Sequence, residues 1–185
     1  MRHENTLDAA ETALVIIDMQ EGFRSAMPDF AEVSVRIALM AHAAQLLGLP
    51  VLVTEQYPKG LGQTAGEIRA VLPAAFRFIE KTAFSSCGAQ TFVGELERVR
   101  ARHVLVCGIE AHVCVNQTTH DLLARNYQVH LLTECITSRA PHNRETGLAK
   151  MQQSGAFPSS IEMALFELMR DAAHEQFKAV QKLIK

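Results

Sequence analysis

Three residues placed at the ends of predicted strands have the types needed for nucleophilic hydrolysis. Asp18 ends the first apolar run of the chain, Lys81 ends the third, and Cys114 opens the helix that follows the fourth. Ligands of open α/β sheets bind beyond the carboxyl ends of the strands, so these side chains are expected to converge on one edge. There a carboxylate could take the proton of a thiol and later return it to a leaving group.

The position of Cys114 favours a reactive thiol. A helix N-terminus presents unpaired N–H groups and the positive end of the helix dipole, which lower the pKa of a thiol, and a nearby lysine would act in the same direction. Position alone leaves other interpretations open. Cys114 could be a small buried apolar residue, Asp18 a helix cap or structural ion-pair partner, and Lys81 a solvated surface lysine.

Short apolar runs that alternate with segments of helical period define the fold class. The predicted strands are Ala13–Ile17, Val51–Thr54, Phe76–Glu80, His103–Cys107, Val129–Thr133 and a short one beginning within Gly155–Pro158. Continuously apolar runs indicate strands buried on both faces, as in parallel sheets. We predict one α/β domain over residues 1–185, a three-layer doubly wound sandwich. Its mostly parallel sheet has about six strands in the order 3-2-1-4-5-6.

Capping signals place the helices between these strands. Asp29 with Glu32, and Ser159 with Glu162, fit the capping-box pattern at two helix starts. Further predicted helices are Gln90–Arg102, Val115–Asn126, Pro141–Ser154 and His174–Ile184. The longest irregular segment is predicted at Glu55–Thr64, and a loop of that length in a small domain is often functional.

Composition excludes several classes of protein. The chain has 185 residues, a formal net charge of -2, 48% hydrophobic and 21% charged residues, values that exclude extensive disorder. The absence of a basic cluster argues against nucleic-acid binding, and no apolar run is long enough to span a membrane. The polar first dozen residues and four cysteines without a C-x-x-C pair predict reduced thiols in a cytoplasmic protein.

Three segments together resemble the signature segments of the isochorismatase-like cysteine hydrolase superfamily. They are IIDMQEGF at 16–23, EKTAFS at 80–85 and CGIEAHVCV at 107–115, and the resemblance is greatest to isochorismatase domain-containing proteins. It implies a catalytic triad of Asp18, Lys81 and Cys114. It also implies a cis peptide bond between Ile109 and Glu110 and an oxyanion hole formed by the N–H groups of Glu110 and Cys114.

Two departures from relatives in this superfamily narrow the expected chemistry. Nicotinamidases resemble one another in an Asp-x-His metal site after the second strand, where this chain reads Glu55-Gln56-Tyr57. No histidine lies between His42 and His103, so we predict no metal and no other cofactor, and nicotinamide is disfavoured as substrate. Isochorismatases proper lack the nucleophilic cysteine that is present here, which favours covalent chemistry.

The resulting prediction is a metal-independent cysteine hydrolase that cleaves a C–N bond of a small amide, carbamoyl or imide-like molecule through a thioester. Its predicted pocket residues are Phe23, Gln56, Tyr57, Phe84, His112 and Val113. Three alternatives stay open: a binding or scaffold member without turnover, a thiol redox sensor with a resolving thiol, and isochorismatase-type ether hydrolysis. By analogy with the family we also expect a homo-oligomer.

The predicted strand order sets a geometric condition on Lys81. The third strand is two positions from the first, a distance of about 10 Å between strand axes. Lys81 can therefore reach Asp18 only if its side chain leans inward from the end of its strand.

Overall fold

A six-stranded sheet brings the first and fourth apolar runs side by side. In the computed structural model, which describes residues 3–185, the strands all pair in parallel. They are β1 (Thr12–Ile17), β2 (Val51–Gln56), β3 (Ile79–Lys81), β4 (His103–Gly108), β5 (Gln128–Ile136) and β6 (Phe157–Ser159). Their order, β3-β2-β1-β4-β5-β6, confirms the predicted doubly wound topology.

Helices cover both faces of the sheet. In chain order they are α1 (Phe30–Leu46), α2 (Pro58–Leu61), α3 (Gly66–Val71), α4 (Gln90–Arg98), α5 (Cys114–Ala124), α6 (Pro141–Gln153), α7 (Ile161–Met169) and α8 (Phe177–Leu183). Helices α1, α3, α7 and α8 share one core with Leu14 and Ile16 of β1, whereas α4, α5 and α6 share the other with Ala13 and Val15. Successive β1 side chains therefore pack alternately into the two cores, which explains why the sequence of β1 is continuously apolar.

None of the helices found in residues 3–185 combines the length and apolar composition that crossing a membrane requires.

Two helix caps differ from the sequence prediction. The Asp29 side chain does not cap α1, because its Oδ2 accepts a hydrogen bond from Thr137 Oγ1 at 2.6 Å. The cap of α7 is Ser160 and not Ser159, since the Ser160 hydroxyl accepts from the Met163 N–H at 3.1 Å. In the first case a tertiary hydrogen bond replaces the predicted helix cap. In the second case the cap forms one residue later than predicted.

The third strand is shorter than the apolar run that predicted it. The run Phe76–Glu80 was expected to be extended, but only Ile79–Lys81 pairs with β2. Phe76 and Phe78 instead pack their rings edge to face, with centroids 5.1 Å apart, against the core beneath α1. Aromatic residues that favour strands therefore serve here as packing residues ahead of the strand.

Other element boundaries also move. Helix α4 ends at Arg98 and not at Arg102, because Arg100 adopts a left-handed backbone with φ of 53°. Helix α8 spans Phe177–Leu183, within the longer range predicted for it. The segment Glu55–Thr64 is more regular than expected, since β2 continues to Gln56 and α2 follows directly.

The end of β4 makes a close backbone approach to β1. Gly108 pairs with Ile17 in the sheet register and has φ of 115°, a conformation that L side chains rarely adopt. A Cβ atom added at Gly108 would overlap the Ile17 carbonyl oxygen. Glycine at this position therefore lets the loop after β4 lie directly beside Asp18.

We predict that Gly108→Ala lowers the free energy of unfolding by more than about 2 kcal/mol, because the new methyl group meets rigid backbone at an unfavourable φ. Gly94→Ala is the matched control: it lies inside α4 with nothing within 4 Å of the new Cβ. It should raise stability by about 0.5–1 kcal/mol. Urea denaturation of the two variants measures both effects, and similar behaviour of the pair would contradict this account of Gly108.

Candidate active site

Asp18 lies buried at the end of β1 and is held by β2. Only 2% of the residue is exposed, and its backbone has φ of 51°. Its N–H donates to the Thr54 carbonyl at 3.1 Å, while the Thr54 hydroxyl donates to Oδ1 at 2.7 Å. A carboxylate at this depth needs compensating partners, and the hydroxyl of the neighbouring strand supplies one.

Lys81 supplies the second partner by reaching across β2. Its Nζ lies 2.6 Å from Asp18 Oδ2, and both side chains are at most 2% exposed. The same ammonium donates to Gln56 Oε1 at 2.8 Å and to the carbonyls of Ala83 and Phe84 at 3.1 and 2.9 Å. The side chain therefore leans inward as the strand order required, and all of its contacts are to protein acceptors.

Cys114 begins α5 and faces the same cavity as Asp18. The residue is 7% exposed. Burial raises the pKa of the thiol to about 12; the Asp18 carboxylate adds to the rise, and the Lys81 ammonium opposes it. The sequence predicted that the helix N-terminus lowers the pKa of the Cys114 thiol, and this prediction is therefore wrong. Desolvation and the adjacent carboxylate outweigh the dipole and the ammonium, so the resting thiol is neutral.

The loop between β4 and α5 contains backbone N–H groups that make no hydrogen bond to the described part of the protein. The Ile109–Glu110 peptide bond is cis. The neighbouring amides of Ala111 and Val113 donate to protein carbonyls, Thr137 O and Glu110 O. Within residues 3–185, the N–H groups of Glu110 and Cys114 have no such acceptor. This leaves the two donors named in the sequence prediction without competing protein partners.

The cavity beside Cys114 has a volume of about 350 Å³, which suits a small molecule. It is lined by Asp18, Phe23, Gln56, Leu61, Phe84, Ile109, Glu110, Val113, Cys114 and Arg139. Four of the six predicted pocket residues are in this set: Phe23, Gln56, Phe84 and Val113.

The other two predicted pocket residues, Tyr57 and His112, lie elsewhere. Tyr57 has a left-handed backbone with φ of 37° and lines an adjacent cavity of about 410 Å³ together with Lys59 and Glu80. The His112 ring bonds to Ser138, with Nδ1 and Oγ 3.1 Å apart. Adjacency in sequence to a pocket residue did not give either side chain the orientation that the prediction required.

The sequence prediction missed a charged pair at the wall of the cavity. Glu110 Oε2 accepts from both the backbone N–H and the Nε of Arg139, each at 3.0 Å. Burial raises the pKa of the Glu110 carboxyl, but hydrogen bonds from Arg139 more than offset this and leave the pKa below its ordinary value. The position of Arg139 just after the fifth strand was a usable signal. Leu61, on the short helix α2, had none.

In residues 3–185, no three His, Cys, Asp or Glu side chains are grouped so that they could hold a metal ion. At the position expected for a metal site in nicotinamidases, Gln56 uses its amide to bind the protein. Its Nε2 donates to the Thr82 carbonyl at 2.7 Å, and its Oε1 accepts from Lys81. This side chain therefore acts as a polar wall between Lys81 and the cavity.

Comparisons with known proteins agree with this architecture. The family model for the isochorismatase domain matches residues 12–163. Isochorismatase domain-containing protein 2 of Macaca fascicularis is 46% identical over 173 residues, covering 93% of this chain and 82% of that protein. The human protein of the same name is 44% identical, with 94% and 83% covered. A solved structure described as MAR1 ribonuclease from Caenorhabditis elegans superposes with a TM-score of 0.92 at 37% identity, covering 97% and 92%.

Removing the cation from the buried pair should destabilise the protein strongly. We predict that Lys81→Met lowers the free energy of unfolding by about 3–5 kcal/mol, because Asp18 is left buried without its counter-ion. Arg98→Met is the matched control, since Arg98 pairs with Glu95 at a similar distance of 2.6 Å but is 69% exposed. It should cost less than about 1 kcal/mol. If both variants lost the same free energy of unfolding in urea denaturation, burial of the Asp18–Lys81 pair would not determine how much that pair stabilises the protein.

Proposed function

The chain belongs to the isochorismatase family, and from that premise we propose that it is a metal-independent cysteine hydrolase acting on a small amide, carbamoyl or imide-like molecule. The observation that carries the proposal is one arrangement at the end of the sheet. A neutral thiol, Cys114, shares a small cavity with a carboxylate, Asp18, whose other oxygen is paired with Lys81 at 2.6 Å.

In the proposed first step, Asp18 acts as the general base. Because the thiol is neutral at rest, its proton passes to the carboxylate as sulfur attacks the substrate carbonyl carbon and the S–C bond forms. The carbonyl oxygen becomes an oxyanion, and the N–H groups of Glu110 and Cys114 are placed to donate to it. This use of the carboxylate requires no thiolate before the substrate arrives.

In the second step the C–N bond breaks and Asp18 returns the proton to the leaving nitrogen. The products at that stage are a free amine or ammonia and a thioester on Cys114. Water then attacks the thioester carbonyl, giving one proton to Asp18, and the S–C bond breaks. The acid product leaves, and Asp18 returns the proton to the Cys114 sulfur.

Lys81 is proposed to fix the charge and orientation of Asp18 and not to touch the substrate. Its ammonium has four protein acceptors around it, the Asp18 carboxylate, the Gln56 amide oxygen and two backbone carbonyls. These four contacts hold the ammonium beside the carboxylate. It can therefore stabilise the carboxylate throughout the cycle, as the proton moves on and off Asp18.

The basic groups at the cavity bear on a second candidate activity. The C. elegans relative is described as a ribonuclease, and phosphodiester recognition relies on free basic groups. Among the described residues lining this cavity the one exposed cation, Arg139, is already bonded to Glu110. The oligomeric state stays a prediction, as do a cytoplasmic location and the alternatives of a scaffold, a redox sensor or an ether hydrolase.

Turnover should depend on the Cys114 sulfur. A screen of small amides and carbamoyl compounds, followed as ammonia release, is expected to give a substrate whose hydrolysis is abolished by Cys114→Ala. The same substrate, trapped by acid quench, should add the mass of its acyl group to the peptide that contains Cys114. Cys87→Ala is the matched control, because Cys87 is also buried but does not line the cavity that contains Asp18 and Cys114.

Retained hydrolysis by Cys114→Ala would contradict the proposed nucleophile. Cleavage of an RNA oligonucleotide that needs Cys114, with no amide turned over, would instead favour the activity that names the C. elegans relative.

The pH dependence of alkylation should reveal the neutral thiol. With a pKa of about 12, the thiolate fraction of Cys114 rises tenfold per pH unit, so iodoacetamide labelling should accelerate about tenfold per unit from pH 7 to 10 without a plateau. Asp18→Asn removes a charge that raises this pKa. We expect labelling at pH 8 to become at least about tenfold faster, while turnover is lost with the base.

Asp29→Asn is the matched control for this experiment, since Asp29 also accepts a threonine hydroxyl bond but is not part of the cavity lining. Its labelling rate should equal that of the unmodified protein. A labelling plateau below pH 8, or slower labelling of Asp18→Asn, would contradict the assignment of Asp18 as the base.

A further inference from the structure

The charged groups around the cavity are arranged in two closed pairs. Asp18 is paired with Lys81 at 2.6 Å, and Glu110 with Arg139 at 3.0 Å. Each pair contains one group of each sign, and the Cys114 thiol is neutral. The described lining residues other than Asp18, Glu110, Arg139 and the thiol are apolar side chains or the Gln56 amide. The site therefore has no net charge to offer a ligand.

From these pairs we infer that the substrate is uncharged, and that Glu110 is the residue that excludes carboxylates and other small anions. The inference rests on the proposed function, because it concerns the ligand of the same thiol. It narrows the substrate class to neutral amides, carbamoyl compounds or imides whose remaining part is apolar.

Arg139 taken alone would suggest the opposite, an anion-binding site. Arg139 lines the cavity and its side chain is 57% exposed, a setting in which arginine can bind a carboxylate. Its Nε and its backbone N–H are both bonded to Oε2 of Glu110, a side chain that is only 6% exposed. An incoming carboxylate that approached Arg139 would therefore also approach a buried negative charge.

The second carboxylate adds to this exclusion. Asp18 lines the same cavity as Cys114 and Glu110, so an anion bound beside the sulfur would share this cavity with two carboxylates. Like charges a few ångströms apart repel more strongly in a partly desolvated site than in water. A neutral carbonyl or hydroxyl avoids that cost and can still accept a hydrogen bond from the guanidinium edge that Glu110 does not use.

The apolar wall defines the other end of the ligand. Five side chains of this kind line the cavity: Phe23, Leu61, Phe84, Ile109 and Val113. Phe84 is 55% exposed although it is a large apolar residue, which places an open aromatic surface beside the cavity. A ligand with an apolar body would cover this surface while its carbonyl faces Cys114.

Two alkylating reagents of similar size test the inference. Iodoacetamide and iodoacetate both lose iodide when the Cys114 sulfur forms a bond to their CH2 carbon, and they differ in an amide or a carboxylate group. Rates at Cys114, followed by peptide mass spectrometry at low salt, are divided by the rates with 2-mercaptoethanol. We expect this normalised ratio to disfavour iodoacetate by at least about tenfold.

Charge variants identify the responsible group. Glu110→Gln frees Arg139 and should remove the penalty on iodoacetate, a shift of about tenfold or more in the ratio. Arg139→Gln should maintain or increase the penalty. Glu95→Gln, which makes the same change of net charge at an exposed pair, is the matched control and should leave the ratio unchanged. A preference for iodoacetate that disappears in Arg139→Gln would overturn the inference and make Arg139 an anion receptor.

A binding measurement keeps this test separate from the proposed chemistry. In Cys114→Ser, which has no thiol, saturation-transfer NMR should detect butyramide at concentrations where butyrate gives no signal. That result supports the neutral site even if no amide is hydrolysed. Equal or stronger signals from butyrate, or no signal from either molecule, would overturn the inference whatever the turnover assays give.

Discussion

The ion pair between Asp18 and Lys81 is the constraint around which the site is built. Two charges at this depth are stable only when their remaining hydrogen-bonding capacity is met, and the protein meets it from several strands. The Thr54 hydroxyl of β2 holds one carboxylate oxygen, while Gln56 and two loop carbonyls surround the ammonium. The Asp18–Lys81 pair therefore forms only if the strand order, the length of the lysine side chain and the burial of both groups bring them into contact.

This constraint also changes how the cysteine is best understood. A helix N-terminus commonly stabilises a thiolate, yet the carboxylate beside Cys114 and the loss of solvent favour the neutral thiol. In the proposed reaction, the nucleophilicity of Cys114 then depends on proton transfer to Asp18 and not on the sulfur alone. A thiol that loses its proton only to a neighbour, with the ligand already in place, is also poorly reactive toward stray electrophiles and oxidants.

Much of this arrangement could be predicted from the sequence, because it depends on features that a chain records locally. Continuous apolar runs predicted the buried parallel strands, and the doubly wound fold class supplied their order. Position made Asp18, Lys81 and Cys114 candidates, and the resemblance of three segments to a known family joined them into one triad. What was missed depends on tertiary partners. The carboxylate of Asp29 bonds to Thr137, which follows β5, and not to its own helix. The left-handed backbone at Tyr57 accompanies a ring that lines a different cavity. The Glu110–Arg139 pair joins two loops whose contact no local pattern encodes.

The reach of Lys81 across β2 has a consequence for how the molecule tolerates change. Within residues 3–185, the side chains that line the cavity beside Cys114 all lie at or after the carboxyl ends of strands, and the loops at the amino ends, on the opposite rim, contribute none. New chain ends, inserted tags or fused domains placed on that far rim would leave the catalytic groups in register. By contrast, a single residue added or deleted at the start of β2 would reverse the sides on which Thr54 and Gln56 project. Asp18 and Lys81 would then each lose one hydrogen-bond partner.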